Sequence, residues 1–306
     1  MKSGELSIDA LLAQPPNLNS GAAMNKRTFT PKSVTQRGEQ YERDRTLRQS
    51  ALSRRLSFIS HEFDGIYQLT QGLVLVGARS GHAKSTTAAC LVAGFLEQTD
   101  TDTAIVISNE ESSEAVLNRV ACVLLKKNYK ALHFNTMPMK EQEQVRAKVA
   151  EILPRVEVVD DDAFQMSVLE DVQAVLEFAA KSKARLVVLD YLQTVSTSRE
   201  RPELVDFQVS KLLGSYLKDY GRRIAVPVIV FAQLKPEGDS ARNFSDRVQS
   251  DKTIYNHAFS VVELIPDFKA RTTKFVFHKN RFGTEQGSQI TMKFVDGRYS
   301  GVDVEL

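Results

Sequence analysis

Five short apolar runs rich in β-branched residues recur through the middle of this 306-residue chain. They are GLVLVG (72–77), TAIVIS (103–108), VEVVD (156–160), RLVVLD (185–190) and VPVIVFA (226–232). Near-continuous apolar runs are the pattern of strands covered on both faces. Between them lie segments of helical period, such as SSEAVLNRVACVLLKK and ELVDFQVSKLLGSYLKDYG. Strands that need cover on both sides, separated by helices, predict an α/β fold built on a mostly parallel sheet. After residue 258 the pattern changes to strand–turn–strand in FSVVELI, TKFVFHK and QITMKFV. This predicts antiparallel strands extending the C-terminal edge of the sheet.

The chain upstream of these runs has a different texture. Residues 1–36 are polar, punctuated by QPPNLNSG, and are expected to form a disordered arm. Residues 37–57 are expected to form a basic linker helix, leaving 58–306 as the main domain. From Lys26 to Arg55 there are nine Lys/Arg against three Asp/Glu, although the whole chain carries a net charge of only +2. Two readings of this arm stay open: a solvated helix, or a basic arm docking on a neighbouring subunit or on nucleic acid. Cys90 and Cys122 have no Cys or His grouping around them, which argues against a zinc site or a disulfide framework and for core packing in a reducing compartment. The apolar runs are too short to span a bilayer and the N-terminus lacks a signal pattern, so a soluble, cytoplasmic protein without a membrane partner is expected.

The stretch GARSGHAKSTT (77–87) follows the first strand and opens a helix. That is the setting of a phosphate-binding loop, G-x-x-x-x-G-K-[ST], with Ala83 where the glycine before the lysine belongs. Ala78, Arg79, Ser80, Gly81, His82, Ala83, Lys84, Ser85 and Thr86 are therefore the expected nucleotide cradle. Backbone N–H groups and the positive end of the helix would face the phosphates. Lys84 would bring a charge to the β- and γ-phosphates, and Ser85 a hydroxyl to Mg²⁺. If Ala83 has negative φ, alanine there costs little. Asp190, ending an apolar strand about a hundred residues later, is the expected second Mg²⁺ ligand at the crevice of an open α/β sheet. In IVISNEESS, Glu110 and Glu111 are both candidates to activate water, one of them as a mere helix-start acid, with Ser112 or Ser113 as the cap.

Five stretches, GARSGHAKSTT, VISNEESSEAVLNR, RLVVLDYLQTV, VPVIVFAQLK and FHKNRFGTEQG, occur in an order and spacing that resemble the motor domain of DnaB-type replicative helicases, a RecA-like P-loop ATPase fold. The resemblance runs from about residue 58 to the C-terminus. It implies ATP (or another NTP) and Mg²⁺ as ligands, with Glu110 as the water-activating carboxylate and Arg119 near the nucleotide. It also makes Asp190 the Walker B aspartate and Gln233 the polar residue that senses the γ-phosphate. Lys279 and Arg281, in KNRFG, match the pair that reaches in trans into the next subunit's nucleotide. A guanidinium arriving from outside is worth roughly 10³–10⁵ in rate in well-characterised phosphoryl-transfer enzymes. The plainer alternative is that these two cations are anti-aggregation charges on an edge strand.

The same resemblance places single-stranded DNA contacts on two loops, one beginning near STSRERPE (196–203) and one spanning 235–252 with Lys235, Arg242, Arg247 and Lys252. Basic side chains there would hold phosphates without reading sequence, although neighbouring acids dilute the charge. The acidic pattern that the family carries after this loop reads TIYNHAF here, with Tyr255 and Phe259 where acids are usual. The N-terminal helical or primase domain of longer relatives is not recognised, so a separate primase or loader is a candidate partner. The expectation is an ATP-dependent replicative DNA helicase: a homo-oligomer moving on single-stranded DNA with ATP hydrolysed at subunit interfaces, the hexameric ring and the 5′ to 3′ sense being what the resemblance implies. The rivals are a RecA-like recombinase or recombination mediator, and a nucleotide-gated loader or scaffold ATPase.

Overall fold

The computed structural model describes residues 72–305, with short gaps at 161–163, 183, 225, 236–242, 250–252 and 282–286, and residues 39, 41, 42, 45 and 46 upstream. The chain divides into two compact units, Met1–Ser50 and Ala51–Leu306. In the first, Glu39, Tyr41, Glu42, Arg45 and Thr46 are helical, and Arg45 lies 3.6 Å from Glu42 one turn away. The expected arm (1–36) and the rest of the expected linker helix (37–57) lie outside the described residues.

In the second unit each of the five apolar runs forms a strand: β1 (Gly72–Ala78), β2 (Ala104–Ser108), β3 (Val156–Val159), β4 (Leu186–Asp190) and β5 (Pro227–Gln233). Helices α1 (Lys84–Gln98), α2 (Ser113–Leu124), α3 (Tyr129–His133), α4 (Met139–Ile152), α5 (Leu169–Lys181) and α6 (Asp206–Ile224) connect them. Two short helices, α7 (Phe244–Arg247) and α8 (Thr253–His257), precede β6 (Ser260–Asp267), β7 (Thr272–Asn280), β8 (Gln289–Val295) and β9 (Arg298–Glu305). The nine strands of the described residues form one sheet in the order β3-β2-β4-β5-β1-β6-β7-β8-β9. Pairing is parallel from β3 through β6 and antiparallel from β6 to β9.

Strand periodicity sends successive residues to opposite faces, and both faces of the parallel part are buried. Val74 and Val76 of β1, Val106 of β2, Val188 of β4 and Phe231 of β5 pack under α1, α2 and α4. Leu73, Leu75, Ile105, Leu189 and Val230 pack on the other side under α5 and α6, against residues such as Val172, Leu213 and Tyr220. The antiparallel extension needs cover on one side only, so its strands alternate: Phe275, Phe277, Ile290 and Met292 point into the first layer. The sheet brings the C-terminal ends of β1, β2, β4 and β5 to one edge, where β4 adjoins both β2 and β5, and β5 adjoins β1.

Strand β9 was not expected from the sequence. It is joined to β8 by Asp296–Gly297, both at positive φ (51° and 76°), as a type I′ hairpin turn requires. A Cβ on Gly297 would lie 2.5 Å from the Lys127 carbonyl oxygen at the end of α2. Gly297→Ala should therefore lower stability by about 1–3 kcal/mol, through strain and the clash. Thermal unfolding should register this as a midpoint several degrees below wild type, and an unchanged midpoint would contradict the close approach.

Candidate nucleotide site

After Ala78 the chain leaves β1, turns through residues 79–83 and enters α1 at Lys84. The His82 amide donates to the Arg79 carbonyl (3.1 Å), and Gly81 takes φ +73°. Ala83 sits at φ +62°, ψ 24°, in the left-handed region. The condition under which alanine would cost little, negative φ, is not met: the loop turns into the helix through a conformation that glycine adopts freely. A Cβ in that region costs roughly 1–2 kcal/mol. Counting back from Lys84, the loop's first glycine position also holds an alanine, Ala78. It is fully buried in β1 opposite Gln233, so its methyl serves the core.

Asp190 ends β4 beside Ser108 of β2 and accepts a hydrogen bond from the Ser85 hydroxyl. It is only 7% exposed, and its Oδ1 has no hydrogen-bond partner among the described residues. Burial pushes its pKa up to about 6; Glu110 and Glu111 add to the rise, while the Ser85 hydrogen bond and Lys84 act against it. Two more buried polar atoms without partners among the described residues lie in the same neighbourhood, Asn109 Oδ1 and Arg119 Nε. An uncommitted carboxylate oxygen beside a hydroxyl at a helix start is a donor set that suits a hard cation such as Mg²⁺.

The structure separates the two adjacent acids. The Ser112 hydroxyl caps α2 by accepting the Ala115 amide at 3.3 Å, while Ser113 instead donates its hydroxyl to Asp160 at 2.7 Å. Glu111 is ion-paired with Arg119. Glu110 is exposed and accepts a hydrogen bond from Tyr191, whose pKa is raised by burial and by that carboxylate. Lys84, itself 8% exposed, places Nζ 5.2 Å from the centre of the Tyr191 ring. Tyr191 therefore stands between the loop lysine and Glu110, a position that sequence reasoning passed over although the residue follows Asp190 directly. Arg119 stacks at 4.1 Å over the Tyr129 ring and lines, with Thr86 and Phe294, a cavity of about 590 Å³ beside the loop.

Gln233 ends β5 next to the loop strand, and its backbone is clamped by Gln193. The Gln193 side chain accepts from the Gln233 amide (2.9 Å) and donates to the carbonyls of Gln233 (3.3 Å) and Gln249 (2.6 Å). This joins the ends of β4 and β5 to the far end of the 235–252 segment. The base of that segment is closed further by the Lys235 amide on the Arg247 carbonyl (2.7 Å) and the Gln249 amide on the Gln233 carbonyl (3.0 Å).

The cations expected on DNA-contacting loops divide. Lys235 is exposed, and Arg242 and Lys252 lie outside the described residues. Arg247 requires a correction: it is 5% exposed and ion-paired with Glu263 on β6, which is 4% exposed and also bound to His278 at 2.8 Å. Its guanidinium is committed inside the domain and is not offered to a polyanion. In the 196–203 loop, Arg199 pairs with Asp171 at 2.5 Å and Arg201 with Glu203 at 3.3 Å, so the charge there is largely matched internally. Lys279 and Arg281, around the end of β7, both donate to main-chain carbonyls of α8. Burial and the neighbouring Arg281 push the Lys279 pKa down to about 8.

Two outcomes follow from this geometry. Ala83→Gly removes left-handed strain and should raise stability by about 1 kcal/mol, seen as a higher unfolding midpoint with nucleotide affinity retained. Asp190 has a folded pKa above its unfolded value, so it favours folding only while protonated, and the cost of ionising it is complete above about pH 6. Asp190→Asn should therefore unfold at a higher temperature than wild type at pH 8 without Mg²⁺, and the difference should close toward pH 4. Equal midpoints at pH 8 would contradict a buried, uncompensated carboxylate.

The DnaB-like helicase C terminal domain family matches residues 41–251, well over half the chain. No curated protein matches it in sequence. Among solved structures, one ATPase domain superposes with a TM-score of 0.68 at 14% identity, covering 90% of this chain and 100% of that one. A DnaB-like replicative helicase, described together with its interactions with primase, superposes with a TM-score of 0.67 at 15% identity, covering 90% of this chain and 68% of the other. At these identities the superpositions speak for the fold, which is that of RecA-like ATPase domains. The family match spans the phosphate loop, Glu110, Arg119, Asp190 and Gln233, and the chain belongs to the DnaB-like helicase C-terminal domain family of ATP-hydrolysing helicases.

Proposed function

We propose that this chain is the motor of a ring-forming replicative DNA helicase that moves on single-stranded DNA, with ATP cut at the junction between protomers. The observation that carries the reading is the cation-ready pair of Ser85 and Asp190, set beside Lys84 and Glu110 at the ends of β1, β2 and β4. Amides of residues 79–85 and the start of α1 would hold the β-phosphate, and Lys84 would lie against the β- and γ-phosphates. Ser85 and Asp190 would hold Mg²⁺, which when bound neutralises phosphate charge and orients the terminal phosphoryl group.

Glu110 then orients the attacking water and takes its proton as the oxygen bonds to the γ-phosphorus and the bond to the β–γ bridging oxygen breaks, releasing ADP. The hydrogen bond from Tyr191 holds Glu110 in place, and Tyr191's ring fixes the height of Lys84. Arg119, anchored by Glu111 and stacked on Tyr129, would lie along the nucleotide, while Gln233 reports its state to the 235–252 segment through Gln193. Lys279 and Arg281 would complete the site of the adjoining protomer by meeting the charge that develops on the transferred phosphoryl group. Lys235, with Arg242 and Lys252, would track the DNA backbone, and affinity would fall steeply with salt.

Subunit mixing tests the shared site. Arg281→Ala protomers mixed with Lys84→Ala protomers in the presence of ATP and single-stranded DNA should hydrolyse ATP faster than either preparation alone, because a site that pairs an intact loop with an intact Arg281 forms only in mixed assemblies. No gain on mixing would contradict a site completed in trans.

A further inference from the structure

The KNR cations rest on two aromatic rings. Lys279 Nζ lies 5.1 Å from the centre of the Tyr255 ring, and Arg281 Cζ lies 5.5 Å from the centre of the Phe259 ring. Both distances fall within cation–π range. The same segment supplies main-chain acceptors. Lys279 Nζ donates to the carbonyls of Tyr255 (2.8 Å) and Asn256 (3.3 Å), and the Arg281 guanidinium donates to the Asn256 carbonyl (3.2 Å). The Arg281 amide donates to the Phe259 carbonyl (3.0 Å), so the rings and the cations are tied through the backbone as well.

The rings themselves are fixed from beneath. The Phe259 amide donates to the Leu73 carbonyl at 2.8 Å, at the start of the strand that carries the phosphate loop. The Phe259 ring lies against Gly72, where a Cβ would sit 2.6 Å from it. Tyr255 packs partly on the second core layer, and its hydroxyl reaches the His278 carbonyl at 3.4 Å. Each cation therefore meets a support that belongs to its own domain.

The chemistry of the support matters. Two cations two positions apart repel each other and splay unless something holds them. A carboxylate in either position would hold its cation by neutralising it, and a phosphate would then have to compete with that ion pair. A ring face and carbonyl oxygens attract a cation while leaving its full charge available. We propose that Tyr255 and Phe259 are positioning residues for Lys279 and Arg281, aromatic rests that keep the two cations aligned and unneutralised for the triphosphate of the adjoining protomer. This rests on the trans reading of the pair given above.

The test uses the full chain with ATP and single-stranded DNA. Tyr255→Leu and Phe259→Leu should each lower kcat roughly fivefold, the scale of one cation–π contact, while KM for ATP stays within about twofold because the nucleotide-binding half of the site is untouched. Tyr255→Phe and Phe259→Tyr keep the ring and should restore kcat towards wild type. Tyr255→Met and Phe259→Met supply a flexible, gap-filling chain of leucine-like volume without a ring, so a loss caused by poor packing of a branched side chain would be relieved there, whereas the loss of a cation rest should match that of leucine.

Mixing gives the directional readout. Tyr255→Leu protomers combined with Lys84→Ala protomers should hydrolyse ATP faster than the two preparations measured apart, since each supplies the half-site that the other lacks. Methionine variants with wild-type kcat, beside an Arg281→Ala variant that loses it, would overturn this inference and leave the trans reading standing. Wild-type kcat in Lys279→Ala and Arg281→Ala would remove the trans reading itself. A loss expressed in KM, or no gain on mixing, would overturn the positioning role.

Discussion

A carboxylate buried at the tip of a central strand is the constraint around which the rest of this domain is arranged. Asp190 lies between β2 and β5, with one oxygen uncommitted and its pKa pushed up to about 6. Such a group opposes folding at neutral pH and is held there by the two packed layers on either side of β4. Its polar neighbours are partly satisfied and oriented: the Ser85 hydroxyl, Lys84 above the Tyr191 ring, and Arg119 tied to Glu111. The proposed function accounts for that unsatisfied charge, since a cation and a triphosphate would complete the site.

Much of the architecture was legible in the sequence because burial on two faces leaves a strong mark. The five runs from GLVLVG to VPVIVFA read as parallel strands, and each is one. TKFVFHK read as one of the antiparallel strands extending the sheet edge, which β7 is; its alternating burial is seen only in the structure. Strand β9 escaped notice because RYSGVDVE is polar and broken by a glycine, yet the Asp296–Gly297 pair before it carried the hairpin signal. The left-handed backbone at Ala83 was not readable, since loop closure sets it and no local preference of alanine does. Arg247 misled for another reason: its partner Glu263 lies on a strand beyond the loop, so a count of loop charges alone leaves it unmatched.

The candidate site shows the same division. Lys84, Ser85 and Asp190 could be named from their positions at strand and helix ends, and the structure brings them together. Glu110 and Glu111 could not be told apart by chemistry alone; the Arg119 ion pair and the Tyr191 hydrogen bond distinguish them. Tyr255 and Phe259 looked in the sequence like lost acids. In the fold they sit under the two cations of KNR, a juxtaposition that the spacing in the sequence did not reveal.

The central claim is that one protomer carries the nucleotide and its neighbour finishes the chemistry. It is tested most directly by turnover per protomer as a function of protein concentration, with saturating ATP and single-stranded DNA and with molecular mass followed by light scattering in the same samples. The account predicts that turnover per protomer is negligible where the protein is monomeric and rises to a plateau as assemblies form. Monomers that hydrolyse ATP as fast per chain as the assembled protein would contradict it.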